Sequence, residues 1–162
     1  ASLFGSGYAW IFPHSEASSI GAYGDSRHFT AQRLKRRLLL WTERQGLPVD
    51  AQTLRAGLVN FDYRGVRFAG GWLIGDAAGL ASGLTGEGIY PALVSGQEVA
   101  RMILDPGYPA PELKTLARKH RRHRLLATFA GNSPRLCGPL MEALVLFLRM
   151  KIIDFHSLEM AD

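Results

Sequence analysis

Residues 71–89 read GWLIGDAAGLASGLTGEGI, a short apolar run, a Gly-Asp pair and a loop, with six glycines in all. A tight turn uses one or two glycines, so the surplus implies that something lies against this backbone. The run at 72–74, bounded by glycines, predicts a short buried strand. Beyond the loop, Ile89, Ala92, Leu93, Gly96, Val99, Ala100 and Ile103 share one helical face and predict a helix to about Leu104. Asp105-Pro106-Gly107 stops it. Pro91 sets its start: a residue without an N–H is tolerated only in the first turn, so the first helical residue is Gly88 or later.

Each part of this segment has a physical use. A carboxylate at a strand's end accepts hydrogen bonds from hydroxyls. Glycines admit a flat ligand to the backbone without a Cβ in the way. A helix N-terminus offers unpaired N–H groups and roughly half a unit of positive charge. Together they suit a polyol joined to a ring that becomes anionic, which describes a reduced flavin. A lone Gly-Asp after a strand is otherwise an ordinary turn, so the segment gains weight only with its neighbours.

Upstream, residues 8–13 (YAWIFP) are aromatic and β-branched and end at a proline, predicting a strand. Tyr8, Trp10 and Phe12 share one face; Ala9 and Ile11 share the other, so the strand is expected to be covered on both sides. Residues 18–23 are its expected antiparallel partner, closing at Gly24-Asp25. Residues 30–45 read as a helix with Leu34, Leu38 and Trp41 inward, ended by Gly46-Leu47-Pro48. Short strands are expected at 57–59 and 66–69 around a turn at 62–65. Two further helices are expected at about 111–130 and 139–156, separated by a breaker at 131–134. The order is an α+β pattern with too few strands for a complete sheet.

At 162 residues, 47% hydrophobic and 20% charged, the chain is long enough to bury a core and is neither disordered nor collagenous. One cysteine, Cys137, excludes an internal disulfide and a multi-cysteine metal centre. His14, His28, His120, His123 and His156 show no metal-ligand spacing. The net charge of +5 suits plain solubility or an anionic partner. The densest basic run, 118–124 (RKHRRHR), points around most of a helix and carries no aromatic platform, so a solvated helix is expected. Attraction to anionic lipid headgroups is the alternative, and no nucleic-acid partner is expected. No stretch reaches the ~18 apolar residues of a membrane span. Residues 139–155 are apolar but interrupted by Glu142, Arg149 and Lys151, which suits a core or interfacial helix. The opening ASLFGSGYAWIFP lacks the features of a signal peptide and of a natural start. A cytoplasmic protein, peripheral at the membrane, is the expectation.

The stretch GDAAGLASGLTGEGIYPAL resembles the second FAD-binding motif of the geranylgeranyl reductase family, within the FAD-dependent hydroxylase-like superfamily. The resemblance implies that Gly75 and Asp76 contact the flavin's ribityl region. It implies that Thr85, Gly86, Glu87, Gly88 and Ile89 set backbone amides and a helix start against the pyrimidine end of the ring. Tyr8, Trp10, Phe12 and Pro13, with Gly21, resemble the YxWxFP…GxG motif of the same reductases, which implies part of a wall around an isoprenoid substrate. The second glycine of that motif is replaced by Tyr23. The resemblance implies FAD as cofactor, NAD(P)H or ferredoxin as electron donor, and an isoprenoid or polyprenyl lipid as substrate.

Enzymes of this type bind the FAD pyrophosphate at a GxGxxG turn, and this chain has none. The expected fold is therefore α+β, a partial antiparallel sheet with helices, forming the C-terminal fragment of an FAD-binding two-domain flavoprotein. Residues 1–70 would belong to a substrate-binding sheet domain with one helix. Residues 71–104 would form the second FAD motif and its helix, and residues 105–162 a C-terminal helical region. Such a fragment carries half of the FAD site, is inactive alone, and exposes surface meant for the missing N-terminal half, through which it could self-associate. A quinone-linked dehydrogenase of the FixC type, or a flavin monooxygenase or halogenase, shares the Gly-Asp motif. A non-catalytic module that has lost the cofactor is the reading from another class.

Overall fold

The computed structural model describes residues 3–152 and 160–161. The fold is α+β: strands β1 (Tyr8–Pro13) and β2 (Ser18–Tyr23), helix α1 (Ala31–Arg44), strands β3 (Arg67–Phe68) and β4 (Gly71–Trp72), a 3-10 turn at Gly75–Ala78, then α2 (Ile89–Leu104), α3 (Pro111–Asn132) and α4 (Pro134–Arg149). The strands form two separate antiparallel pairs, β1 with β2 and β3 with β4. The chain divides into two compact units, Ala1–Gly57 with Ala130–Met141, and Leu58–Phe129 with Glu142–Asp162.

In the first unit, β1 and β2 pair antiparallel as expected, with Tyr8 opposite Tyr23, Trp10 opposite Gly21 and Phe12 opposite Ser19. These six residues share one face of the hairpin by the period of two. The expectation of a strand covered on both faces does not hold among the described residues: Phe12 is 57% exposed, and Tyr8 and Ile11 are also exposed. Helix α1 contacts β2, whereas Tyr8, Ile11 and Phe12 of β1 stay exposed. Helix α1 follows its sequence signals. Thr30 Oγ1 accepts from the Arg33 amide at 3.2 Å as N-cap. Gly46, in the left-handed region at φ 69°, lies just past the C-cap Gln45. Leu38 is buried and Trp41 meets Phe4 edge-on, the ring centroids 6.3 Å apart.

The second unit has a core of Val66, Leu80, Val94, Val99, Leu116 and Met160, with Ala78 and Leu113 beside them. Its strands are shorter than expected. Residues 57–59 are not a strand, and β3 and β4 have two residues each, joined through Ala69 and Gly70. Leu73 and Ile74 are exposed rather than buried, because no described strand pairs on β4's outer side.

Helix α2 begins at Ile89 with Gly88 as N-cap, as Pro91 requires. Its buried face differs from the expected one. Pro91, Val94, Ser95, Glu98 and Val99 point inward, while Ile89, Leu93, Ile103 and Leu104 are exposed. The polar members of the buried face are fully satisfied. Glu98 is completely buried and accepts from the Tyr108 hydroxyl (2.9 Å), Arg101 Nη1 (3.0 Å) and the Glu112 and Leu113 amides (3.1 and 3.3 Å). The last two lie in the first turn of α3, so one carboxylate of α2 caps the next helix.

Between α3 and α4 the breaker shrinks to Ser133 alone, because α4 starts at Pro134. Proline is at home in a first helical position. Pro139 lies inside α4 rather than at its start. The last four residues expected of this helix, 153–156, lie outside the described residues.

Candidate functional site

The glycine-rich segment is anchored at several points in the second unit. Gly75 has φ +51°, and a Cβ there would come within 2.8 Å of Ala92 Cβ. Its amide donates to Ser95 Oγ at 2.9 Å. Gly79 has φ +76°, and a Cβ there would meet the Asp62 backbone at 2.5 Å. Left-handed backbone and lack of room both demand glycine at these two positions. The segment is thus a wedge between the start of α2 and the chain at Asp62.

Asp76, in the turn between them, is exposed; its carbonyl accepts from the Gly79 amide at 3.0 Å, while its carboxylate accepts no hydrogen bond among the described residues. It lies beside the start of α2: a Cβ on Gly88 would be 3.1 Å from Asp76 Oδ1. The amides of Gly88, Ile89 and Tyr90 have no partner among the described residues, and Gly88 makes no side-chain cap. Pro91 removes the fourth amide of the turn. The structure therefore places a carboxylate with open lone pairs beside Gly88, at the start of a helix whose first three amides are open.

The amides of Leu84, Thr85, Gly86 and Glu87 are engaged. Thr85 N and Leu84 N donate to Ser82 Oγ at 3.0 and 3.3 Å, Gly86 N donates to Ser82 O at 2.9 Å, and Glu87 N reaches Thr85 Oγ1 at 3.4 Å. The Glu87 carboxylate accepts from the Met160 amide at 3.0 Å. Thr85, Gly86 and Glu87 shape the loop, whereas Gly88 and Ile89 present it.

Ser82, His120 and His123 were not singled out by the sequence reading, although the basic run contains both histidines. Arg118, Arg121, Arg122 and Arg124 are exposed, but His120 and His123 are buried. Ser82 Oγ lies 2.9 Å from His123 Nδ1. That oxygen already accepts two amides, so its own proton points to the ring and Nδ1 is the acceptor. Burial lowers the His123 pKa, helped by the charges of Arg122 and Lys119. Burial likewise lowers that of His120, with Arg124 and His123 adding to it. His120 Nε2 has no hydrogen-bond partner among the described residues, and its ring meets Tyr63 edge-on at 6.0 Å. The spacing Leu113, Leu116, His120, His123 is a helical stripe that would have revealed the inward face.

In the first unit the aromatic hairpin has its own steric logic. Tyr8, Trp10 and Phe12 form a row, with ring centroids 5.9 and 6.1 Å apart. A Cβ on Gly21 would fall 2.1 Å from Trp10 Cζ2, so the indole lies across the glycine opposite it. Tyr23 places a ring 5.7 Å from Tyr8. Burial raises the pKa of both tyrosines, that of Tyr23 further through Tyr8 and Asp25. Pro13 ends the row at the strand's edge.

No group of metal-ligating side chains occurs among the described residues. No family model matches the sequence, and no solved structure matches it significantly. A relative described as an uncharacterized protein of Methanosarcina barkeri is 36% identical over 101 residues, which cover 60% of this chain and 25% of the relative. The matched region thus spans about a quarter of the length of that relative.

Proposed function

We propose that this chain is part of an FAD-dependent oxidoreductase resembling geranylgeranyl reductases, which reduces isoprenoid double bonds. The observation that carries this reading is Asp76 at the open N-terminus of α2, where a Cβ added to Gly88 would stand 3.1 Å from Asp76 Oδ1. The residues present fit the cofactor. An exposed carboxylate suits ribityl hydroxyls, and three open amides at a positive helix end suit the electron-rich edge of the ring.

When bound, reduced FAD supplies the hydride; the protein's part is to hold, orient and exclude water. Asp76 accepts from the polyol and fixes its position. The amides of Gly88 and Ile89 stabilise negative charge at the ring's pyrimidine edge. Gly86, at φ +72°, turns the loop in a conformation that favours glycine. Tyr8, Trp10 and Phe12, with Pro13 and Gly21, offer an apolar surface for an isoprenoid. No residue here is assigned as proton donor.

The pyrophosphate element comes from elsewhere in a longer polypeptide on this reading. Supporting it, a relative of about four times the matched length exists, and α2 leaves Ile89 80% and Leu93 64% exposed on one side. An apolar stripe of that kind fits a missing half of the same protein. NAD(P)H or ferredoxin is the electron donor. No described helix is long and apolar enough to cross a membrane, and the proposed location is cytoplasmic, with peripheral contact to the lipid source.

The test is an absorbance spectrum of the longer polypeptide that carries this chain. Flavin bands are expected, and Asp76→Ala should lower FAD retention by about tenfold or more, the loss of one charge-assisted hydrogen bond. No flavin bands after purification, and none after adding FAD, would leave the non-catalytic module standing. Anaerobic reoxidation by a geranylgeranyl lipid, but not by a quinone, is the expected outcome. The reverse pattern points to a FixC-type dehydrogenase, and strict dependence on oxygen to a monooxygenase or halogenase.

A further inference from the structure

The second unit holds a groove of about 520 Å³ whose lining includes Tyr63, Arg67, Met102, Tyr108, Leu113 and Lys114. This lies within the range of small-molecule sites, about 300–1,000 Å³. Buried Val66, Ala110 and Leu113 give it an apolar floor. Arg67 and Lys114 are exposed cations on the same lining, which contains no acidic residue. Neither makes an ion pair among the described residues; the Arg67 guanidinium lies instead over the Trp72 ring, 5.5 Å from its centroid.

Two details show that the groove is held in shape. The Tyr108 hydroxyl is consumed by Glu98 and Arg101, at 2.9 and 3.0 Å, so this residue offers its ring and not its oxygen. Ala110 sits at φ +46° directly before Pro111, a left-handed conformation that a non-glycine residue adopts only under tertiary constraint. Strain of this kind, on a buried residue of the lining, marks a surface whose shape is maintained.

We propose that this groove binds a small, soluble amphipathic anion, an apolar body carrying one phosphate or carboxylate. The body lies on Val66, Met102, Leu113 and the Tyr108 ring; the head group meets Arg67 and Lys114. Arginine offers a planar fork to such a head and lysine a compact charge. A membrane surface is the weaker occupant, since a flat sheet of headgroups reaches the exposed cations but not the buried floor. The proposal does not depend on the flavin reading.

Titration calorimetry on the purified protein tests it, with octyl phosphate below its micellar concentration, inorganic phosphate and 1-octanol as probes. Octyl phosphate should bind about tenfold or more tightly than either half-probe, because both the apolar and the charged contacts then contribute. Arg67→Gln and Lys114→Gln, both at exposed positions, should each weaken it by about three- to tenfold with an unchanged circular dichroism spectrum. Equal binding of octyl phosphate and inorganic phosphate would overturn the proposal, as would unaltered affinity in both variants. Binding confined to vesicles of phosphatidylcholine with phosphatidylglycerol, and absent for monomeric octyl phosphate, would overturn it in favour of a membrane surface.

Discussion

Ser82 and His123 are 41 positions apart and meet through one hydrogen bond of 2.9 Å, from the serine hydroxyl to Nδ1 of the ring. The same oxygen gathers the amides of Leu84 and Thr85. A single imidazole acceptor on α3 thereby orients the hydroxyl that shapes the glycine-rich loop. The bond requires a neutral ring, since a protonated histidine has no acceptor to give.

Stability should therefore fall in acid. His123 titrates below its ordinary 6.5, chiefly through burial and then through Arg122 and Lys119. Between that lowered value and 6.5 the unfolded chain binds more protons than the folded one. The contribution is complete above pH 6.5 and is lost as pH falls through the folded value. His120 shifts in the same direction and adds to the effect. Urea midpoints measured from pH 7.5 to 5 should decline, and His123→Asn should flatten the decline while keeping an acceptor for Ser82. Ser82→Ala should lower stability by about 1–3 kcal/mol at neutral pH, because two amides lose their acceptor.

Gly21 opposite Trp10 predicts a strong steric coupling. With a Cβ placed 2.1 Å from the indole, Gly21→Ala should destabilise the first unit by about 1–3 kcal/mol. Trp10→Leu in the same chain should recover most of the loss, since the ring that collides is then absent. A double-mutant cycle read by chemical denaturation checks this. Additive effects would show that the indole does not lie across the glycine.

Glu98 is the most connected buried group of the second unit. Removing it strands the Tyr108 hydroxyl and the Glu112 and Leu113 amides. Glu98→Ala should cost about 3–5 kcal/mol, the range for breaking a buried charged network. Glu98→Gln should cost less, since one oxygen still accepts. Thermal melts of the three proteins give the order, and hydrogen exchange should locate the loosening at the start of α3.

If α2 awaits a covering partner, the isolated chain should associate through that stripe. Sedimentation equilibrium is expected to give a mass above the monomer, and Leu93→Glu, at a position 64% exposed, should return it toward the monomer without loss of helix. A wild-type chain that stays monomeric at high concentration would remove this support for a missing half.

Much of the fold was legible because its signals were local. Pro13 and Gly24-Asp25 bound the hairpin, Thr30 and Gly46 bound α1, and Pro91 dates the start of α2. The buried side of α2 was not legible, because this helix is apolar on two sides. Periodicity places residues on faces but does not say which face meets the core. Leu73 and Ile74 were misassigned for a related reason: an apolar run signals burial only when a second layer is present to supply it. At the candidate site, the placement of Asp76 before α2 and of Gly88 at its start was readable from spacing and from Pro91. Ser82 was hidden, because its role depends on a histidine brought in by tertiary packing. His120 and His123 were obscured by the arginines around them.

The first turn of α2 has a consequence for the order in which this protein melts. Winding a helix requires about three residues to be fixed before the first bond forms, an equilibrium of about 10⁻³. Pro91 arrives with its φ already set, and Ser95 Oγ donates to its carbonyl at 2.6 Å while accepting the Gly75 amide. The opposite end is tied through Arg101 to Glu98 and to the Tyr108 hydroxyl, both at 3.0 Å, but its last two residues, Ile103 and Leu104, are exposed. Nucleation is thus assigned to the end that carries the open amides, and fraying to the two residues beyond Arg101 and Met102. On warming, Gly88, Ile89 and Tyr90 should keep their aim after Ile103 and Leu104 have frayed, so the helix loses length before it loses direction.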